Sequence, residues 1–97
     1  MTKEEAKRCV GAGWGGLIDE LFDRLPERAR LFSVKEKYGC LRIDGIGTEN
    51  LESELEERSL KICEECGNDG ELRDLNWIRT LCDSHYKSRK YLGGSVS

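Results

Sequence analysis

The sequence predicts a small α+β fold, and three patterns in it carry that expectation. Leu17, Ile18, Leu21, Phe22 and Leu25 recur at three-and-four spacing, as on a helix with one apolar stripe. Between residues 30 and 47 the period drops to two, as in a pair of strands. Two ligand-type pairs, Cys63-x-x-Cys66 and Cys82-x-x-His85, then stand fifteen residues apart in the C-terminal half. The expected architecture is an N-terminal helix and β-hairpin packed with a cysteine-rich module that ends in a helix.

Taken in order, residues 2–10 read as a short helix, with Glu4 and Glu5 at its start and Lys7 and Arg8 at its end, matching the helix dipole. Gly11-Ala12-Gly13-Trp14-Gly15-Gly16 breaks it. No Lys-Ser/Thr follows and no strand precedes, so these glycines do not read as a phosphate loop. Trp14 is expected as a buried plug where the next helix begins. The Leu17–Leu25 helix supplies the main core, and Pro26 stops it.

Leu31 to Glu36 and Cys40 to Ile46 are the two strands, joined through Lys37-Tyr38-Gly39, where Gly39 can take positive φ. This hairpin is expected to pack on the preceding helix. Its Lys35, Lys37 and Arg42, with Tyr38, read as a solvated basic face, contact with a phosphate and a base being the rival reading. Thr48 is the expected N-cap of a helix running from Glu49 to Leu60, with Leu51 and Leu55 on its inner side. Glu52, Glu54, Glu56 and Glu57 then form an acidic outer surface. A second hairpin follows, Gly70 to Arg73 with Trp77 to Leu81. Cys82 and His85 open a last helix that carries Tyr86 and Tyr91. Three regions result: 1–47, 48–92 and a flexible tail at 93–97, the first two forming one compact unit.

The two pairs explain each other chemically. Zn²⁺ prefers four soft or borderline ligands in a tetrahedron, which two chelating pairs on a hairpin can supply. Gly67 directly follows the first pair, where a thiol turn needs a residue tolerant of positive φ. Cys63, Cys66, Cys82 and His85 are therefore the expected ligands of a structural Zn²⁺. A catalytic zinc keeps an open position for water, and this set is already complete. A zinc deaminase needs an upstream His-x-Glu, but no histidine precedes His85. No paired-acid or Ser-His-Asp arrangement survives once His85 is assigned, so the expectation is a protein that is not an enzyme.

At 97 residues the chain has room for one domain or a small core plus a metal module. Only roughly 60–65% of the unfolded surface is buried in domains of this size. Metal ligation adding on the order of 10 kcal/mol would therefore decide whether the C-terminal half folds. The start of the chain is charged and reads as a helix rather than a signal peptide, and no apolar run is long enough for a membrane span. Ligand-type cysteine pairs with isolated Cys9 and Cys40 suit a reducing cytosol, a Cys9–Cys40 disulfide being the rival.

Net charge is −3, unevenly spread. Residues 1–43 hold nine Lys/Arg against seven Asp/Glu, residues 44–71 two against ten, and residues 72–97 five against two. The middle third is thus a concentrated acidic surface that repels phosphates and steers basic partners.

The order of turn, hairpin and ligand-bearing helix resembles the treble-clef class of zinc fingers. Four stretches also resemble a family of small zinc-binding proteins from phages and prophages. They are Gly13-Trp14-Gly15-Gly16-Leu17-Ile18, Val34 to Arg42, Arg58 to Gly67, and Trp77-Ile78-Arg79-Thr80-Leu81-Cys82. Glycine often stands in that family where this chain has Cys40. The resemblance implies a phage accessory protein working in the bacterial cytoplasm. In size, charge and lack of catalytic residues the chain is similar to anti-CRISPR inhibitors. The leading expectation is a protein that binds and inhibits a host protein, such as a Cas nuclease, presenting Glu52, Glu56, Glu57, Glu64, Glu65 and Glu71 to a basic groove. The alternative is a zinc-finger nucleic-acid-binding regulator using Arg73, Arg79, Lys87, Arg89 and Lys90, which a sequence pI near 5.2 disfavours.

Overall fold

A computed structural model describes residues 1–75 and 78–94 as an α+β fold with four helices and two antiparallel hairpins among them. The elements are α1 (Lys3–Arg8), a 3₁₀ turn (Ala12–Trp14), α2 (Gly15–Arg24), β1 (Arg30–Lys37), β2 (Cys40–Ile46), α3 (Glu49–Ser59), β3 (Glu71–Asp74), β4 (Ile78–Leu81) and α4 (Asp83–Gly94). None of the described helices is long and apolar enough to cross a membrane. Trp77 and residues 95–97 of the expected tail lie outside the described residues. Gly93 and Gly94, expected in that tail, are the last residues of α4.

α1 is held at its start by a reciprocal pair of bonds. The Thr2 hydroxyl accepts from the Glu5 N–H at 3.1 Å, and the Glu5 carboxylate accepts from the Thr2 N–H at 2.8 Å. α2 begins at Gly15, ahead of the apolar stripe, and ends at Arg24 because Leu25 turns extended before Pro26. Trp14 is fully buried between them, and its indole N–H donates to the Ile62 carbonyl at 2.9 Å. That bond ties the N-terminal helices to the chain entering the cysteine-rich module. Trp14 is a buried plug, as its setting predicts, but one with a long-range polar anchor.

β1 and β2 are joined by a two-residue turn in which Tyr38 (φ 55°) and Gly39 (φ 76°) are both left-handed. This geometry matches the right-handed twist of the strands. Strict alternation fails in β1. Leu31 and Val34 are both buried although three positions apart, and a bulge between Leu31 and Ser33 makes this work. The extra residue sends both Phe32 and Ser33 to the opposite face. Trp14, Ile18 and Leu21 meet Val34, Leu41 and Ile43 of the hairpin and Leu51 and Leu55 of α3 in one core.

α3 also closes the free edge of β2. The Leu41 N–H donates to Ser59 Oγ at 2.9 Å and the Ile43 N–H to Glu56 Oε2 at 2.9 Å. A strand edge buried beneath a helix needs such partners. Thr48 sits at the N-cap position without acting as the cap: no backbone N–H bonds to its hydroxyl, which is paired with the Glu52 carboxylate instead. Thr48 is itself buried, so its hydroxyl takes the nearest strong acceptor. On the outside, Glu20, Arg24, Glu54 and Arg58 form a network across α2 and α3. Exposed pairs of this kind are screened by solvent and add little to stability.

Candidate metal centre

Cys63 and Cys66 lie on a tight turn closed by backbone hydrogen bonds. The Gly67 N–H donates to the Cys63 carbonyl at 2.9 Å and the Cys63 N–H to the Asn68 carbonyl at 2.7 Å. Gly67 has φ 84°, the left-handed value expected from its place after the pair. The other two ligands come from the start of α4. The His85 N–H donates to Cys82 Sγ at 3.4 Å, so the thiol stands where a capping side chain would. A thiolate is favoured at that end of a helix.

The four ligand atoms all lie within 4.8 Å of one another. Cys66 Sγ is 3.7 Å from Cys82 Sγ, and His85 Nδ1 is 3.6 Å from Cys63 Sγ and 3.2 Å from Cys82 Sγ. Metal–sulfur bonds of about 2.3 Å in a tetrahedron give sulfur–sulfur edges of about 3.8 Å and sulfur–nitrogen edges of about 3.6 Å. These three separations are close to those edges, and the whole set lies within 4.8 Å, so the residues fit a four-coordinate ion with Nδ1 as the ligating nitrogen. All five cysteines are free, and no disulfide links Cys9 to Cys40.

Electrostatics at the cluster favour thiolates. The backbone N–H of His85 holds the Cys82 thiol down at about 6, helped by the imidazole beside it. The Cys82 side chain in turn raises His85 above its ordinary value. Burial pushes Cys63 up, but the backbone groups of Cys82, Cys66 and Glu65 outweigh it and leave that thiol lowered. At Cys66 the Asn68 backbone pulls downward, yet desolvation and the neighbouring Cys63 and Cys82 sulfurs win and the thiol is raised. A divalent cation removes that repulsion between sulfurs.

Two neighbours of the cluster were not legible in the sequence. Gly11 and Gly13 lie flat against the cysteine turn: the Gly13 N–H donates to the Glu64 carbonyl at 2.8 Å. A methyl group on Gly13 would sit 2.0 Å from the Cys63 carbonyl oxygen. The glycine-rich segment is therefore a cradle, but for a protein backbone. The tip of the first hairpin docks similarly, with Thr80 Oγ1 donating to the Gly39 carbonyl at 2.6 Å.

The second is Glu64, and here the sequence expectation needs correction. Glu64 is buried, its carboxylate accepting from Arg79 Nη2 at 2.6 Å, from Arg79 Nε at 2.9 Å and from the Thr80 N–H at 3.2 Å. It cannot belong to an acidic docking surface. The carboxylate faces inward because β4 brings a cation and an unpaired N–H to the cysteine turn. We expect Glu64→Ala to destabilise the metal-loaded protein by about 3 kcal/mol in urea denaturation, since it strands the partly buried Arg79. A change below about 1 kcal/mol would show that the pair is dispensable.

Of the other five glutamates, Glu57 and Glu71 are exposed, and Glu52, Glu56 and Glu65 are half-buried. Glu56 is tied to the β2 edge and lies 3.9 Å from Arg42. Among the basic residues, Arg79 is committed to Glu64. Arg73 packs 4.4 Å from the Tyr86 ring centre and donates to Asp83 at 2.7 Å and to the Leu81 carbonyl at 3.1 Å. Lys87 is exposed; the side chains of Arg89, Lys90 and Tyr91 lie outside the described residues.

Fold and site together define a small α+β protein with a cluster of three cysteines and one histidine able to hold a metal ion. No protein-family model matches the chain, no curated protein matches its sequence, and no solved structure matches its fold.

Proposed function

We propose that this chain is a non-enzymatic, zinc-stabilised accessory protein that binds and inhibits a host protein through an acidic surface. The observation that supports the reading is the gathered ligand set: four donors within 4.8 Å would fill a tetrahedral ion's coordination sphere and leave it no open position. Three thiolates and an imidazole in a four-coordinate set are donors that suit zinc. Ligands from a turn and from the first turn of a helix, with a hairpin between, support a treble-clef-like module. When bound, the ion supplies rigidity and charge neutralisation. The chain's own residues hold the module to the core through Trp14, Gly13 and Thr80.

Function then falls to the surface. Glu57 and Glu71 are its exposed members, with Glu52, Glu56 and Glu65 at half-buried positions. The partner is a host protein with a basic, nucleic-acid-binding groove. In the phage setting that the sequence resemblance implies, it is a Cas nuclease and the chain an anti-CRISPR working in the bacterial cytoplasm. A regulator reading nucleic acid through the last helix is less well supported, because Arg73 and Arg79 are engaged inside the module.

Inhibition of Cas nuclease cleavage, measured across a salt series, tests this. Charge reversal at Glu56 would also break the β2 edge, so Glu57→Lys with Glu71→Lys is the cleaner pair. We expect inhibition to weaken by about tenfold or more, and to fall as salt rises. Unchanged inhibition by a variant of normal metal content and melting temperature would overturn the acidic-surface mechanism.

A further inference from the structure

The outward face of the β1–β2 hairpin breaks three local rules at once. Phe32 is 55% exposed, placed outside by the bulge in β1. Tyr38 is 67% exposed and holds a left-handed φ of 55°, a conformation that favours glycine or asparagine. Lys35 and Arg42 stand directly opposite each other across the strands, a like-charge pair that opposes pairing. Lys37 completes the group, its ammonium 5.8 Å from the Tyr38 ring centre. Asp44, beside Ser33 on the same face, and Glu56, near Arg42, offset only part of this charge. Lys35 has no carboxylate within ion-pair distance among the described residues.

We propose that this face binds single-stranded nucleic acid, with Phe32 and Tyr38 stacking on bases and Lys35, Lys37 and Arg42 contacting phosphates. Two aromatic rings flanking three cations on the outward face of the hairpin suit unpaired bases, whose flat faces are accessible, better than a duplex. Strand rise over the Ser33–Lys37 part of β1 spans about 13 Å, with Phe32 and Tyr38 beyond its two ends, so the track admits several successive nucleotides. The bulge serves burial of Leu31 and Val34, but the left-handed Tyr38 and the like-charge Lys35–Arg42 pair support no core contact, as expected of a surface kept for a ligand. This goes beyond the reading above, since it uses residues outside the acidic surface and stands or falls separately from it.

The test uses the full metal-loaded chain with fluorescently labelled thymidine and uridine homopolymers, a DNA duplex, and a poly-glutamate peptide, read by anisotropy. Three phosphate contacts predict a salt slope near −2, so Kd should rise about 20-fold between roughly 50 and 200 mM salt. Preference for the thymidine or the uridine strand assigns the sugar. Tyr38→Gly should weaken binding about fivefold or more while raising the melting temperature, because glycine relieves the left-handed strain. Lys35→Glu should likewise bind more weakly and melt no lower, since it turns a repulsive cross-strand pair into an attractive one. Phe32→Ser gives a third, independent loss. Absence of binding to either homopolymer at about 50 mM salt would overturn the proposal. So would affinity unchanged in Tyr38→Gly, or a duplex or poly-glutamate peptide bound as tightly as the single strands.

Discussion

Chelating the metal is expected to abolish cooperative folding of the C-terminal half. Among the described residues, the module's own hydrophobic cluster is Cys63, Leu81 and Cys82, with Leu75 and Tyr86 packed against it. That cluster is small beside the chain entropy of the segment from Cys63 onward, so ligation on the order of 10 kcal/mol is expected to be the dominant stabilising contribution. Loosening should spread beyond the module, because the Trp14 indole and the Gly13 amide both donate to the Ile62–Glu64 segment. Amide exchange with and without chelator reads this residue by residue. Protection should vanish across β3, β4 and the start of α4, and fall around Trp14. Cys82→Ser should reproduce the effect, whereas Cys9→Ser, at an exposed position, should not. A chelated protein that keeps its full melt within a few degrees would contradict a structural metal.

Acid should release the ion by the same logic. Protons compete with metal for the thiolates and the imidazole, so affinity declines as pH falls. Cys82, held at about 6 without metal, is among the last thiols to protonate, while His85, raised by that sulfur, takes its proton earlier than an ordinary imidazole. Retention at neutral pH and progressive loss below about 6 is the expected profile.

The second large effect comes from adding one methyl group. Gly13→Ala would place a carbon 2.0 Å from the Cys63 carbonyl oxygen, 2.6 Å from the Gly67 nitrogen and 2.7 Å from the Glu64 carbonyl carbon. All three are backbone atoms of the cysteine turn, so no side chain can swing aside. We expect a loss of about 3 kcal/mol or more. Zinc affinity should weaken too, because relief of the clash displaces the turn that presents Cys63 and Cys66. The neighbouring Gly16→Ala should act in the opposite sense. Gly16 lies in α2 with nothing within 4 Å of an added methyl, so alanine gains helix propensity of up to about 1 kcal/mol. Urea midpoints and a competitive metal titration of the two variants measure the contrast. Equal stabilities would mean that the N-terminal segment does not rest on the turn as described.

Much of the secondary structure was legible because its signals are local. The three-and-four spacing of Leu17 to Leu25 marks α2, and the alternation around Tyr38-Gly39 marks the hairpin. The bulge in β1 was not legible. Nothing adjacent to Phe32 distinguishes regular alternation from one residue too many, and only burial of both Leu31 and Val34 beneath the same helices demands it. Thr48 shows the same limit: its position before a helix was right, but burial beside Glu52 redirected its hydroxyl. Glu64 and Glu65 are indistinguishable as letters between two cysteines, yet Arg79 and the Thr80 amide draw Glu64 inward.

The ligand atoms themselves were determined by sequence alone, since chelating pairs require only short-range spacing and a glycine that tolerates positive φ. Their convergence, the glycine segment's role as a cradle, and the division of the carboxylates into one buried strut and an outer rim were decided by tertiary structure. The physical reason is range. Coordination chemistry and helical or strand period act over a few neighbouring residues, whereas a clash at Gly13 or an ion pair at Glu64 exists only after distant segments have been brought together.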